Sequence, residues 1–317
     1  MKYINVRGFK DNKEINIKLS NLMMGSGDFL RMDNLEFAGP ILDKYVELGG
    51  NCFDTARHYR HSEMALREWM KEKNNRDEMV IFTKGCHPVR EFPDVSRVTA
   101  EAIRVDLEES LERLGTDYVE LFALHRDDVN YPVGPLMAEL HKLVSEGKIY
   151  AIGVSNWELE RIKEANDYAK EHNLTPITFN SPNLSLAKCS IPRWPGCVSA
   201  NDEMVKWHEE NNIALVSWSS QAGGFFSGKF SPEYLEDAEM VEVFYTNENW
   251  ERYNRAEKLA SEKGMTTIQM ALAYVVNQSF PTVAVVGSEK MDELVSSYEG
   301  ALIDLTEDQV KWMNLND

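Results

Sequence analysis

Residues 50–63, GNCFDTARHYRHSE, pass from a short apolar strand signal into a dense polar knot. Cys52 and Phe53 have the character of strand interior. Asp54, Thr55, Arg57, His58 and Tyr59 then crowd the strand's end before a helix opens near Ser62 and Glu63. A parallel strand in an α/β barrel is apolar along its length, and such folds place catalytic side chains at its C-terminal end. Read alone, the stretch is better explained as a polar strand-to-helix loop. Its meaning depends on the partners the rest of the chain supplies.

Working outward, apolar runs at residues 19–24, 52–54, 79–83, 118–124, 151–154, 177–180, 214–218 and 282–286 are each followed by residues with helical periodicity. Eight such units predict an α/β fold, a (β/α)8 TIM barrel. Two apolar-polar alternations in residues 2–17, around a polar turn at 10–13, predict a small N-terminal β-hairpin. Thr306-Glu-Asp-Gln has the form of a capping box and predicts an extra C-terminal helix. Thr99 opens a periodic stretch through Leu107, Leu111 and Leu114 that Gly115 closes. No linker or low-complexity segment interrupts the pattern, so residues 1–317 are expected to form one domain. Two connections are long for a barrel. Residues 181–200 carry Pro182, Pro192, Trp194 and Pro195, and residues 225–249 follow the seventh strand; both are expected to shape or cover a pocket.

A content of 43% hydrophobic and 27% charged residues is that of a soluble globular chain, and no apolar run approaches the ~20 residues that span a bilayer. The charged start, MKYINVRGFKDNKEINIK, lacks the apolar core of a secretory signal, so a cytoplasmic protein is expected. Four cysteines, Cys52, Cys86, Cys189 and Cys197, are too few for a disulfide scaffold and form no CxxC pair. A net charge of −18 disfavours nucleic acid and membrane partners. Any anionic ligand must be gripped locally, by backbone amides and a few cations at a helix start.

At the ends of successive strands stand Asp54 and Tyr59, then Lys84, then His125. The set suits carbonyl reduction. A tyrosine can protonate a carbonyl oxygen as hydride arrives, but its ordinary pKa of about 10 needs a nearby cation. Lys84 can be that cation, Asp54 the anion that keeps it charged, and His125 a group that orients the carbonyl. Each residue singly is better explained as structure; the joint placement carries the reading.

These motifs resemble the aldo-keto reductase family: FDTARHY around Asp54 and Tyr59, IFTKG around Lys84, LHRDD around His125, GKIYAIGVSN ending at Asn156, GGFFSGKF at residues 223–230 and VVGSEKMDEL at 285–294. The resemblance covers nearly the whole chain. It implies Tyr59 as acid, Lys84 and Asp54 as the groups that tune it, and His125 as the carbonyl-positioning residue. It implies a nicotinamide cofactor bound without a GxGxxG loop, which this sequence lacks. By the same resemblance Ser155, Asn156 and Asn180 hold the carboxamide and Trp218 stacks on the ring. Ser219, Ser220 and Gly223 lie by the pyrophosphate, and Ser288 and Lys290 grip a 2′-phosphate.

NADP(H) is therefore the expected preference, with NAD(H) open, because Glu289 and Glu293 bring anions to the same place. Arg57, Arg60, Arg126, Trp194 and Phe225 are candidate substrate contacts, and the polar rim points to a polar or sugar-derived carbonyl or alcohol. A monomer or weak homo-oligomer is expected. The competing reading is a nucleotide-binding sensor or regulatory subunit with little turnover. A metal enzyme using His58, His61, Cys86 and His87 is weaker, since Lys84 would repel the cation, and no metal is expected.

Overall fold

The computed structural model describes every residue except Asn12, Asp28, Arg60 and Asp317. A hairpin leads: β1 (Tyr3–Lys10) pairs antiparallel with β2 (Lys13–Ser20), Tyr3 opposite Ser20 and Lys10 opposite Lys13. Eight parallel strands follow and close into a barrel. In chain order they are β3 (Leu22–Gly25), β4 (Cys52–Asp54), β5 (Val80–Gly85), β6 (Val119–Leu124), β7 (Ile149–Ser155), β8 (Ile177–Ser181), β9 (Ala214–Ser217) and β10 (Thr282–Val286). Each lies beside its predecessor, and β10 returns to pair with both β9 and β3.

The eight expected strands are present, with one instructive shift at the start. Leu19 ends the hairpin rather than beginning the barrel, because Asn21 fixes the turn between them. The Asn21 backbone N–H donates to the Lys2 carbonyl at 2.9 Å, and its buried amide donates to the Ala301 carbonyl at 3.0 Å.

Strand side chains alternate between two faces, and here the faces belong to different cores. Met23, Cys52, Val80, Phe82, Leu121, Ala123, Ala151, Phe179, Ala214, Val216 and Val283 fill the barrel, with Val6, Ile17 and Leu19 of the hairpin in the same cluster. Phe53, Ile81, Phe122, Leu124 and Ile152 point the other way and pack under the helices. Gly153 is required by the inner packing: a Cβ there would come within 2.2 Å of the Phe179 ring.

The helix Ala100–Leu114 shows how the outer layer is written in sequence. Thr99 Oγ1 accepts from the Ala102 N–H at 3.1 Å, and Gly115 ends the helix in the left-handed region at φ 66°. Between them Ile103, Leu107, Leu111 and Leu114 share one buried face, each such leucine contributing about 1.5–3 kcal/mol. Thr306 and Gln309 form the expected capping box on the last helix, Glu307–Met313. No helix among the described residues is long and apolar enough to cross a membrane.

The two long connections behave differently. Residues 181–200 are tied down, with Asn183 N–H donating to Val198 O at 3.0 Å, Ser190 Oγ to Glu242 O at 2.7 Å and Arg193 Nε to Glu239 Oε1 at 2.8 Å. Residues 225–249, expected to cover a ligand, instead pack beside the barrel and supply no residue to the cleft described below. Phe225 is fully buried among Phe226, Phe244, Tyr245, Trp250 and Tyr253. Its role as a substrate contact is thereby corrected, since an aromatic enclosed on all sides belongs to the core.

Candidate active site

The two-residue alternation that fills the barrel also builds the site. In β4, Cys52 is interior, so Asp54 stands above it; in β5, Val80 and Phe82 are interior, so Lys84 stands above them; in β6, Leu121 and Ala123 lead to His125. All three polar residues are buried, at 6%, 3% and 6% exposure, and all line a cleft of about 1860 Å³ at the C-terminal end of the strands. Lys84 Nζ donates to Asp54 Oδ1 at 2.5 Å and to the Thr55 carbonyl at 2.9 Å. The same ammonium lies 4.5 Å from the centre of the Phe82 ring and 5.1 Å from that of Tyr59. Tyr59, brought into the cleft by the loop after β4, has its ring 5.8 Å from His125.

Burial dominates the electrostatics. It pushes the Lys84 ammonium below its usual range, and Asp54 opposes that shift; it pushes the Asp54 carboxyl up, and Lys84 opposes that. The pair is a mutual dependence in which each charge is tolerable because of the other. His125 is driven well below the ordinary imidazole range, first by burial and then by Lys84. It is therefore neutral at pH 7, with one N–H to donate and one lone pair. Its Nδ1 is shielded and has no hydrogen-bond partner.

Two more imidazoles surround it. His58 stacks on His87 with centroids 3.8 Å apart and planes 7° from parallel, and both rings meet His125 edge-on, at 4.6 and 5.1 Å. Burial, reinforced by His87, pulls His58 down to about 2, and burial also lowers His87. In the sequence His87 stands out only as a candidate metal ligand. Among the described residues no group of three His, Cys, Asp or Glu side chains is arranged to hold a metal ion. The four cysteines are free thiols.

The opposite wall is formed by the ends of β7 and β9 and by the loop 181–200. Ser155, Asn156, Trp218 and Ser219 line it, with Trp194 leaning on Trp218 at 5.5 Å. Trp218 is half-buried, with its Nε1 shielded and unpartnered, a flat apolar face that suits a planar heterocycle. The neighbouring amide is less available than the sequence suggested. Asn156 Nδ2 donates to His125 O at 3.2 Å and Ser155 Oγ at 3.0 Å, while its Oδ1 accepts from Val198 N–H at 3.1 Å. Ser155 Oγ donates to Ser181 O at 2.7 Å.

Several expected contacts are corrected by the same bookkeeping of faces. Asn180 follows the interior Phe179, so it points outward, where its Nδ2 meets Met204 Sδ and His208 Nε2, both at 3.4 Å. Ser181, one position on, carries the inward register, and a count of two from Phe179 would have found it. Ser220 is buried, donating its hydroxyl to Val285 O at 2.7 Å. Arg57 lines the cleft, but its Nε donates to Glu109 at 2.7 Å and lies 3.6 Å from Asp106, which makes it a brace to the helix Ala100–Leu114.

Arg126 lines the cleft, its Nη1 on the His125 carbonyl at 2.8 Å. Gly223 holds φ 62° and packs on Arg193 outside the cleft lining. Ser288 and Lys290 flank the start of the helix Met291–Leu302, next to Gly287 and Glu289, which do reach the cleft. Lys290 is 3.4 Å from Glu293, whose other oxygen accepts from the Glu289 N–H at 3.1 Å. Arg60 lies outside the described residues.

Comparison with known proteins adds a family. Residues 22–314 match the model of the "Aldo/keto reductase family". Norsolorinic acid reductase B of Aspergillus parasiticus is 28% identical over 93% of this chain and 80% of its own length. The aryl-alcohol dehydrogenase [NADP(+)] of Phanerodontia chrysosporium is 27% identical over 86% of this chain and 74% of its own.

Proposed function

The chain belongs to the aldo/keto reductase family, and from that premise we propose that its cleft reduces the carbonyl of an aldehyde or ketone, with Tyr59 as proton donor. Coarsely, it is an oxidoreductase of alcohols and carbonyl compounds that uses a nicotinamide cofactor. The observation that carries the finer reading is the buried Lys84 ammonium, held by Asp54 at 2.5 Å with the Tyr59 ring beside it.

The bound nicotinamide supplies the hydride. The chain's own residues supply the rest. A charge on Lys84 stabilises the phenolate that Tyr59 leaves on giving up its proton. Asp54 keeps that charge in place, and neutral His125 donates one hydrogen bond to the carbonyl oxygen, where negative charge develops. Trp218 offers its face to the ring, with Ser155 and Asn156 as carboxamide partners once their internal bonds are exchanged, and Ser219 towards the pyrophosphate. Ser288 and Lys290 favour NADP(H). Because Lys290 is paired to Glu293, the proposed preference is narrow and NAD(H) is accepted too. His58, Arg126, Trp194 and their polar surroundings support a polar or sugar-derived substrate over the apolar extreme.

Tyr59→Phe tests the reading. NADPH and NADH binding, followed separately by fluorescence titration, is expected to stay near wild type, while carbonyl turnover falls by about 10²–10⁴-fold. Wild-type turnover in that variant would sink the assignment of the proton donor.

A further inference from the structure

We propose that His87, backed by the stacked His58, determines specificity by accepting a hydrogen bond from a substrate hydroxyl beside the reacting carbonyl. The inference rests on the reductase reading above and adds a substrate class, the α-hydroxy carbonyls.

The neighbouring backbone fixes the tautomer of His87. His87 Nδ1 lies 2.8 Å from the Pro88 carbonyl oxygen, which can only accept, so the proton of this ring is on Nδ1. Burial holds the ring neutral. A neutral imidazole whose proton is on Nδ1 has a lone pair and nothing else at Nε2. His87 is thus a fixed acceptor in the lining of the cleft, its centroid 5.1 Å from His125.

The ring is also held rigidly. Cys86 adopts the left-handed backbone, φ 63°, and its amide donates to the fully buried Asp106 at 2.7 Å. Such a conformation in a non-glycine residue persists where the surroundings enforce it, and it sets the direction in which the next side chain leaves. On the other side the parallel His58 ring fixes the plane.

What could answer this acceptor must carry a donor. Benzaldehyde has none; a carbonyl with a hydroxyl on the adjacent carbon has one, within reach of a ring that already touches His125. A site built to accept from a substrate hydroxyl discriminates against the analogue that lacks it, because its own polar atom is then desolvated without a partner.

The test uses a matched pair, 2-hydroxypropanal and propanal, which differ by that single hydroxyl. In His87→Phe, which keeps a stacking ring and removes the acceptor, the ratio of kcat/KM for the hydroxylated over the plain aldehyde is expected to drop about 10-fold or more. His87→Gln, whose side-chain oxygen can stand near the position of Nε2, is expected to recover much of the ratio. A merely structural role would lower both substrates together and leave the ratio alone. That outcome, with propanal still turned over, overturns the inference and leaves the reductase reading standing. If the wild-type protein reduces neither these aldehydes nor aryl aldehydes, the reductase reading fails and the inference with it.

Discussion

At the ends of β4, β5 and β6 the cleft presents an ion pair and three neutral imidazoles, two of them with shielded nitrogens that no protein group satisfies. At the ends of β7, β8 and β9 Ser181 Oγ and Trp218 Nε1 are likewise shielded and unpartnered, yet the neighbouring polar side chains are engaged within the chain. Ser155 Oγ donates to the Ser181 carbonyl, Asn156 ties three segments together, and Ser217, turned outward after the interior Val216, donates to Leu184 O at 2.6 Å. The contrast teaches that a polar residue at a strand end is not by itself a functional one. What separates chemistry from scaffold is whether its donors and acceptors are already taken, since unsatisfied buried groups are costly and are kept only where something else meets them.

The largest effect should come from breaking the ion pair on the first wall. Lys84→Met leaves Asp54 buried without a partner, and loss of one member of such a pair destabilises by about 3–5 kcal/mol. Urea denaturation measures it. Adding Asp54→Asn to the same chain should restore part of that stability while turnover stays low. If Lys84→Met unfolds at the wild-type midpoint, the pair is not the mutual dependence its geometry implies.

A smaller effect, of a different kind, is expected across the cleft. Asn156→Ala removes the amide that joins His125 O, Ser155 Oγ and Val198 N–H; His125 O keeps its bond from Arg126 Nη1, but the Val198 amide loses its acceptor, at about 1–3 kcal/mol. Because Val198 anchors the loop that carries Trp194, hydrogen exchange in residues 181–200 should quicken in this variant. Faster exchange there, with a lesser loss of turnover than in Tyr59→Phe, would confirm Asn156 as a brace. Unaltered exchange would leave Asn156 with the carboxamide role alone.

Much of this contrast was legible in the chain, and its blind spots have physical causes. The barrel could be counted from apolar runs, and Asp54, Lys84 and His125 fell at strand ends because the runs end there. Asn180 was misplaced because a short apolar strand gives its length more readily than its parity, and one step of register reverses every side chain. The enclosure of Phe225 and the engagement of Arg57, which does line the cleft, are hidden for another reason. Their partners, Trp250 and Glu109, are distant in sequence, and only folding shows an aromatic enclosed or a guanidinium engaged. His87 was visible as a residue but not as a fixed acceptor, which depends on the Pro88 carbonyl and the turn at Cys86.

The smallest predicted effect separates the walls by pH. His58, His87 and His125 are all held below the unfolded imidazole value of about 6.5, chiefly by burial. A depressed pKa means that the unfolded chain binds protons the native state refuses. The stability these groups contribute is therefore complete above about pH 6.5 and is lost as pH falls below it, by at most about 1.4 kcal/mol per pH unit for each ring. Asp54, Glu63, Glu120 and Asp127 act in the opposite sense, since burial raises their carboxyls and the native state takes up their protons first. His208, outside the barrel under β8 and drawn down to about 4, adds a background of the same sign as the cleft histidines. Replacing His58 by Phe keeps the aromatic contact with His87 and removes one ring that resists protonation. The fall in Tm between about pH 7 and pH 5.5 should then be shallower in His58→Phe than in the wild type, with the two curves converging in shape above pH 7. Parallel curves throughout would mean that His58 accepts its proton in the native state, and the neutral wall facing the scaffold wall would lose one of its three rings.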